Sequence, residues 1–388
     1  MTFKYPLATA TWDQKEIDAM QKVIASGNFT MGENVSLFER NFSKYIGSQH
    51  AVMVNSGSSA NLLMIAALFY TKNSKLKLKR GDEVIAPAVS WSTTYFPLYQ
   101  YGLRIKFVDI DIKTLNYDLV QLKSAISNKT RVVLAVNLLG NPNDFDFIDK
   151  IIQDKNIILL EDNCESMGAR FNDKKTGTFG VMGTFSSFYS HHISTMEGGI
   201  IVTDDQELHQ ILISLRSHGW TRGLPAKNLI CDDRGDDLLE DFFRFVLPGY
   251  NVRPLELEGA LGVEQVKKLP TIISERRKNA KLFTEILSNH PDLIIQKEIG
   301  KSSWFGFSII IKLGSSLKRQ ELVNKLNHLG FELRPIVTGN FLKNDVIKFF
   351  DYEVHDSLKN AEYLDKNGLF IGNHHYPIFD ALNALKNL

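Results

Sequence analysis

The sequence predicts an α/β protein built on a large, mostly parallel sheet, with a smaller α+β unit towards its C-terminus. Three observations predict it. Short apolar runs alternate with helix-period segments through the first half, helical patterning then takes over, and a fresh strand–helix–strand unit begins at Ser303.

The strand candidates are AVMVN (51–55), EVIAPA (83–88), RIKFVDI (104–110), RVVLAVN (131–137) and NIILLED (156–162), each bounded by polar or glycine-bearing turns. Between them, segments 59–71, 117–126 and 145–153 carry helical periodicity, which puts helices on both faces of the sheet. Beyond the runs TFSSFYS and GGIIVTDD, helices are expected at 207–219, 254–269 and 273–290, the last linking two domains. The final unit reads as a strand at 304–313, an amphipathic helix at 317–330 ending on Gly330, and a strand at 331–337. The expected division is therefore an N-terminal segment 1–30 joining the small domain, a large domain 31–272 and a small domain 273–388.

Composition narrows the function classes. A chain of 388 residues with 44% hydrophobic and 23% charged residues can bury a full core. Its 45 basic and 44 acidic residues leave a net charge of +1, so no bulk field draws it to nucleic acid or an anionic membrane, and phosphate recognition has to be local. The basic run 72–82 and the acidic run 232–241 read as solvated loops. Two distant cysteines, Cys164 and Cys231, form no CxxC pair and cannot hold an iron–sulfur cluster, which points to a reducing compartment. The N-terminus lacks the apolar core of a signal peptide and no run of eighteen apolar residues occurs, so the expected location is cytoplasmic.

Several motifs carry chemistry. In VNSGSSANLL, Gly57 permits a tight turn while Ser56, Ser58 and Ser59 sit where a helix begins, as a phosphate cradle or as a plain N-cap. Trp91 follows the strand 83–88 and either stacks on a planar ligand or packs in the core. Asp162 ends the strand 156–162, where a carboxylate serves a protonated ring nitrogen, an N-cap or a metal; no histidine lies nearby in sequence, so no metal is expected.

These pieces occur in a fixed order: SGSSA (56–60), PAVSW (87–91), EDNCES (161–166), SSFYSHH (186–192) and PGYNVR (248–253). Over nearly the whole chain that order resembles the DegT/DnrJ/EryC1/StrS family of fold-type I pyridoxal-phosphate sugar aminotransferases. In that family the fourth motif reads SFxxxK, and the lysine bonds covalently to the cofactor. Setting Ser187 and Phe188 on the family's serine and phenylalanine brings the lysine column onto His192, with His191 one place earlier. No lysine occurs between Lys175 and Lys227. With SHHISTMEGG (190–199) and FTMGE (29–33), the chain is similar to the sugar 3-dehydratase branch of the family.

The resemblance implies pyridoxal 5′-phosphate or pyridoxamine 5′-phosphate held without a covalent bond. Ser56, Gly57, Ser58 and Ser187 would hold its phosphate, Trp91 would stack on the ring, Asp162 would contact the pyridine nitrogen, and Glu165 would lie near the ring hydroxyl. Asn251 would reach the phosphate from a neighbouring subunit, which implies a homodimer with shared active sites. His192 is the expected catalytic base and then acid, since an imidazole titrates near about 6.5. His191 beside it would be structural or touch substrate. The implied substrate is a GDP-linked 4-keto-6-deoxymannose that loses its C3 hydroxyl, with L-glutamate as amino donor and no iron–sulfur reductase partner. His218, Arg222 and Arg253 lie in segments resembling the nucleotide-sugar side of the site, arginine suiting a diphosphate, and Asn28, Phe29 and Thr30 are further substrate candidates. The rival readings are an ordinary sugar aminotransferase using a different lysine and a catalytically silent, sugar-binding relative.

Overall fold

The computed structural model describes residues 4–234, 237, 239, 241 and 243–388. The expected acidic loop at 232–241 therefore lies partly outside the described residues, at Gly235, Asp236, Leu238 and Glu240.

Two sheets organise the chain. The first seven strands of these two sheets are β1 (His50–Val54), β2 (Glu83–Pro87), β3 (Arg104–Val108), β4 (Thr130–Val136), β5 (Ile158–Asp162), β6 (Met182–Ser186) and β7 (Gly199–Thr203). Then come β8 (Leu293–Ile295), β9 (Gly306–Ile311), β10 (Leu333–Arg334), β11 (Tyr352–Val354) and β12 (Gly368–Gly372). The large sheet has eight strands in the order β1, β7, β6, β5, β4, β2, β3, β11; the small one has four, β8, β9, β12, β10. From β6 to β11 every pairing in the large sheet is parallel, and β7 joins β1 and β6 antiparallel.

The large-sheet strands read as continuous apolar runs because both faces are covered. Val52, Val54, Val84, Ala86, Leu134 and Leu160 face a core shared with helices Gly57–Tyr70, Ser92–Gln100 and Gln206–Arg216. Their alternates Ile85, Val108, Val133 and Ala135 face helices Leu119–Ala125 and Phe145–Ile152. Helix Gly57–Tyr70 is apolar nearly all round, as a helix sunk between sheet and helices must be.

The structure departs from expectation at three places. The two helices expected at 254–269 and 273–290 are one helix, Glu256–Leu287, of 32 residues with Pro270 inside it. Val263, Val266, Leu269 and Ile273 pack into the large unit and Ala280, Phe283 and Leu287 into the small one, and burial at both ends outweighs the one backbone hydrogen bond that proline removes. Strand β11 lies within 273–388 yet extends the large sheet beside β3. Of the segment expected to join the small domain, Tyr5 and Leu7 do so, through a bridge to Phe331 and a bond to Glu332. Helix Gln14–Ser26 instead lies on the large-unit half of the long helix, where Glu16 meets Gln265 and Lys268. No described helix is long and apolar enough to cross a membrane.

Candidate active site

The carboxyl ends of β2, β4, β5 and β6 open into one cavity of about 290 Å³. This is where a parallel α/β sheet places its ligands, because strand ends and helix N-termini converge there.

Asp162 closes β5 and is buried in the cavity wall. Its Oδ2 accepts from Asn61 Nδ2 at 2.9 Å and Thr94 Oγ1 at 2.7 Å, and its Oδ1 from the Cys164 amide at 3.1 Å. Three donors fix the carboxylate's orientation. Among the described residues no cluster of three or more metal-ligating side chains occurs.

Ser56, Gly57 and Ser58 also line the cavity, at the N-terminus of helix Gly57–Tyr70. The Ser56 hydroxyl caps that helix by accepting the Ser59 amide at 3.1 Å, while Ser58 Oγ donates to Thr93 Oγ1 at 3.0 Å. Gly57 is needed for closeness rather than for a turn: a Cβ there would stand 2.8 Å from Ser186 Cβ and 3.1 Å from Cys164 Sγ. Trp91 is the residue before helix Ser92–Gln100 and is half-exposed on the cavity wall, available for stacking. Glu165 lines the wall and accepts the Leu139 amide at 3.1 Å, and burial pushes its carboxyl above the ordinary range.

Two expected residues are not where the sequence put them. Ser187 is fully buried, its hydroxyl 2.6 Å from Thr195 Oγ1, and it does not line the cavity; Ser186, the last residue of β6, does. His192 is likewise fully buried, with Nε2 at 3.2 Å from the Ser303 carbonyl, and the histidine in the cavity wall is His191. Both corrections are one residue in the same direction, so the spacing of serine to histidine is preserved and the motif is displaced as a unit. Alternation is the cause: Ser186 ends a strand whose next side chain points away from the cleft.

The His191 ring packs against Phe188 at 6.0 Å and Phe305 at 5.1 Å between centroids, with Nδ1 buried and without a protein partner. Burial first, then the nearby Arg334 and Arg276 charges, push its pKa down to about 3, which holds the imidazole neutral. Sequence reasoning missed Arg334, Phe305, Asn137, Asn61 and Thr94, all cavity residues. Asn61 lies within the quoted VNSGSSANLL, Thr94 three residues beyond PAVSW, and Arg334 in the segment read only as a strand. Among the described residues no lysine lines the cavity.

The remaining expected residues form two other groups. His218, Arg222 and Arg253 gather about Trp220, at 4.7, 4.2 and 5.7 Å from its ring, and Asn251 Oδ1 accepts from Arg253 Nε at 3.0 Å. Asn28 and Thr30 line a separate groove of about 820 Å³, and half-exposed Phe29 accepts the Glu256 amide through its carbonyl at 3.0 Å. Neither group lines the cavity of its own chain.

The DegT/DnrJ/EryC1/StrS aminotransferase family matches residues 10–377. The chain belongs to this family. Within it, the chain is 63% identical over 385 residues to GDP-4-keto-6-deoxy-D-mannose 3-dehydratase of Escherichia coli O55:H7, covering 99% of each. The E. coli GDP-4-keto-6-deoxy-D-mannose-3-dehydratase with bound hydrated pyridoxal phosphate is 62% identical and superposes with a TM-score of 0.98, over 100% of this chain and 99% of that one. A structure of a GDP-4-keto-6-deoxymannose-3-dehydratase with a trapped pyridoxal phosphate–glutamate geminal diamine gives 0.97 at 62% identity, over 99% of both chains. A variant with lysine for a histidine and asparagine for the serine just before it gives 0.96 at 62% identity, over 98% of this chain and 99% of that one. The family's cofactor suits the residues found here: helix amides and hydroxyls for a phosphate, an exposed indole for a ring, and an oriented carboxylate for a pyridine nitrogen.

Proposed function

We infer that this chain removes the C3 hydroxyl of GDP-4-keto-6-deoxy-D-mannose to give GDP-4-keto-3,6-dideoxy-D-mannose, with L-glutamate as amino donor and ammonia released. One observation carries the reading: the cavity wall of a chain 63% identical to that dehydratase offers the His191 imidazole and, among the described residues, no lysine amine. A cofactor seated there has no amine to bond to and is held by contacts alone. We place the reaction in the cytoplasm.

When bound, pyridoxamine phosphate supplies an amine that condenses with the sugar's keto group and a ring that draws off the electrons left by a departing proton. The amides of Gly57 and Ser58, with the hydroxyls of Ser58 and Ser186, would hold the phosphate; Ser56 shapes that end of the helix as its cap. Trp91, Asp162 and Glu165 line the same cavity, where Trp91 would stack on the ring, Asp162 would meet its nitrogen and Glu165 its hydroxyl. His191 takes the proton next to the ring and returns it to the C3 hydroxyl as that group leaves. Both transfers suit one imidazole, which is a base when neutral and an acid once charged. In the relative's doubly substituted variant the replaced histidine follows a serine; in SHH (190–192) that is His191, since His192 follows a histidine.

The protein works as a homodimer on this reading. His218, Arg222, Asn251 and Arg253, with Asn28, Phe29 and Thr30, complete the cavity of a second copy, where the arginines meet the diphosphate.

The test is incubation with GDP-4-keto-6-deoxy-D-mannose and L-glutamate, followed by mass analysis of the sugar and assay for ammonia. Loss of one oxygen with ammonia release is expected. A 4-amino sugar, or a lysine adduct after borohydride reduction, would instead make the protein an aminotransferase.

A further inference from the structure

We propose that His192 is a positioning residue: it ties the turn bearing His191 to the segment 302–305, and so keeps the His191 ring on the cavity wall. The inference rests on the reading of His191 as the base.

The turn leaves β6 and returns to β7 with its stems zipped by backbone bonds, Ser187 N to Gly198 O at 2.9 Å, Thr195 N to Ser187 O at 2.8 Å and Tyr189 N to Met196 O at 3.0 Å. On its far side Ile193 is buried in the core and Ser194 N donates to Gln265 at 3.0 Å. Towards the small unit the anchor is His192. The Ser303 carbonyl can only accept, so His192 Nε2 carries the hydrogen of the 3.2 Å contact.

The segment it grips is itself immobilised. Ser303 N and Phe305 N donate to Gly140 O and Leu139 O at 2.9 and 3.0 Å. Arg277 Nε donates to Ser302 O at 2.8 Å, and Arg276 donates to Phe305 O at 2.9 Å. The Phe305 ring then touches both histidines, at 5.1 Å from His191 and 5.7 Å from His192. Two adjacent imidazoles thus share one aromatic neighbour, one facing the cavity and one bolted to the backbone behind it. Letting go of the rear ring frees the front ring to turn.

The experiment compares His192→Phe, which fills the space without an Nε2 donor, with His192→Gln, whose amide restores one, in the cofactor-loaded enzyme. Rates are taken per bound cofactor, together with KM for the sugar nucleotide and the isotope effect from deuterium at the pyridoxamine carbon that loses its proton. His192→Phe is expected to lower kcat on the order of ten- to hundredfold. It should leave KM within about twofold and enlarge the isotope effect, because misaligned proton transfer becomes the slow step. His192→Gln should recover most of the rate. A merely structural role would change the fraction of cofactor bound and leave both the rate per site and the isotope effect alone; that result overturns the proposal. If His192→Phe does not fold, His192→Asn, whose amide is too short to reach, takes its place against His192→Gln, and equal rates for the two overturn it. His191→Asn is run alongside. Turnover retained there sinks the base assignment itself, whereas its loss together with a normal His192→Phe sinks only the present inference.

Discussion

Thr94 Oγ1 donates to Asp162 Oδ2 over 2.7 Å, joining the first turn of a helix to the end of β5. The contact is buried and its acceptor is the carboxylate assigned to the cofactor ring, so the hydroxyl sets the angle at which that carboxylate meets a ligand. Thr94→Val keeps the shape and removes the donor. A hydrogen bond to a charged group contributes about 1.5–3 kcal/mol, so affinity for pyridoxal phosphate should fall about tenfold or more in a fluorescence titration. Unchanged affinity would show that Asn61 and the Cys164 amide orient Asp162 without help.

His191→Asn should reduce turnover by about 100- to 10,000-fold, the usual contribution of general acid–base catalysis, with cofactor affinity within a few-fold of normal. Steady-state rates and a cofactor titration separate the two effects. A variant that loses the cofactor along with the rate would assign His191 to binding.

Gly57→Ala should damage the phosphate cradle from behind. The added methyl meets the Ser186 side chain and the Cys164 sulfur inside a closely packed wall. Overpacking of this kind costs about 1–3 kcal/mol, so both the melting temperature and the affinity for inorganic phosphate should drop. A variant as stable and as phosphate-avid as the parent would mean that the wall yields.

Acid should weaken the fold through a histidine remote from the cavity. His209 stacks on His50 with ring centroids 4.2 Å apart, and burial, His50 and Arg216 push its pKa down to about 4 from an ordinary 6.5. The unfolded chain therefore takes up its proton first as pH falls. Stability that is complete above 6.5 is lost progressively down to about 4. His209→Gln should flatten the dependence of melting temperature on pH across that window, and an unaltered slope would assign the loss to other groups.

The strands of the large sheet were legible because Val132, Leu134, Leu160 and their neighbours are buried on both faces and leave unbroken apolar runs. Strand β11 was not, since Tyr, Glu and Val at an exposed edge carry no comparable signal. The helix Glu256–Leu287 reads as two in the sequence, on either side of Pro270, and packing at both ends makes it one. The motif order located the cleft, and Asp162, Trp91, Gly57 and Glu165 all line it. Spacing alone could not choose between Ser186 with His191 and Ser187 with His192, because both pairs are separated equally. Only the direction in which β6 delivers its last side chain separates them. The groups around Trp220 and Asn28 illustrate a different limit, for a motif names a residue without saying which cavity it lines.

The strand β11 has a consequence for anyone wishing to shorten the protein. It lies against β3, and its Glu353 shares the nearly buried Lys106 ammonium with Glu83, at 3.0 and 2.9 Å. Trimming the gene upstream of codon 352 would therefore bare a hydrogen-bonding rim and leave that ammonium with one counterion, inviting fragments to stack through the raw border. The lobe that finishes the chain also hems the sheet that began it.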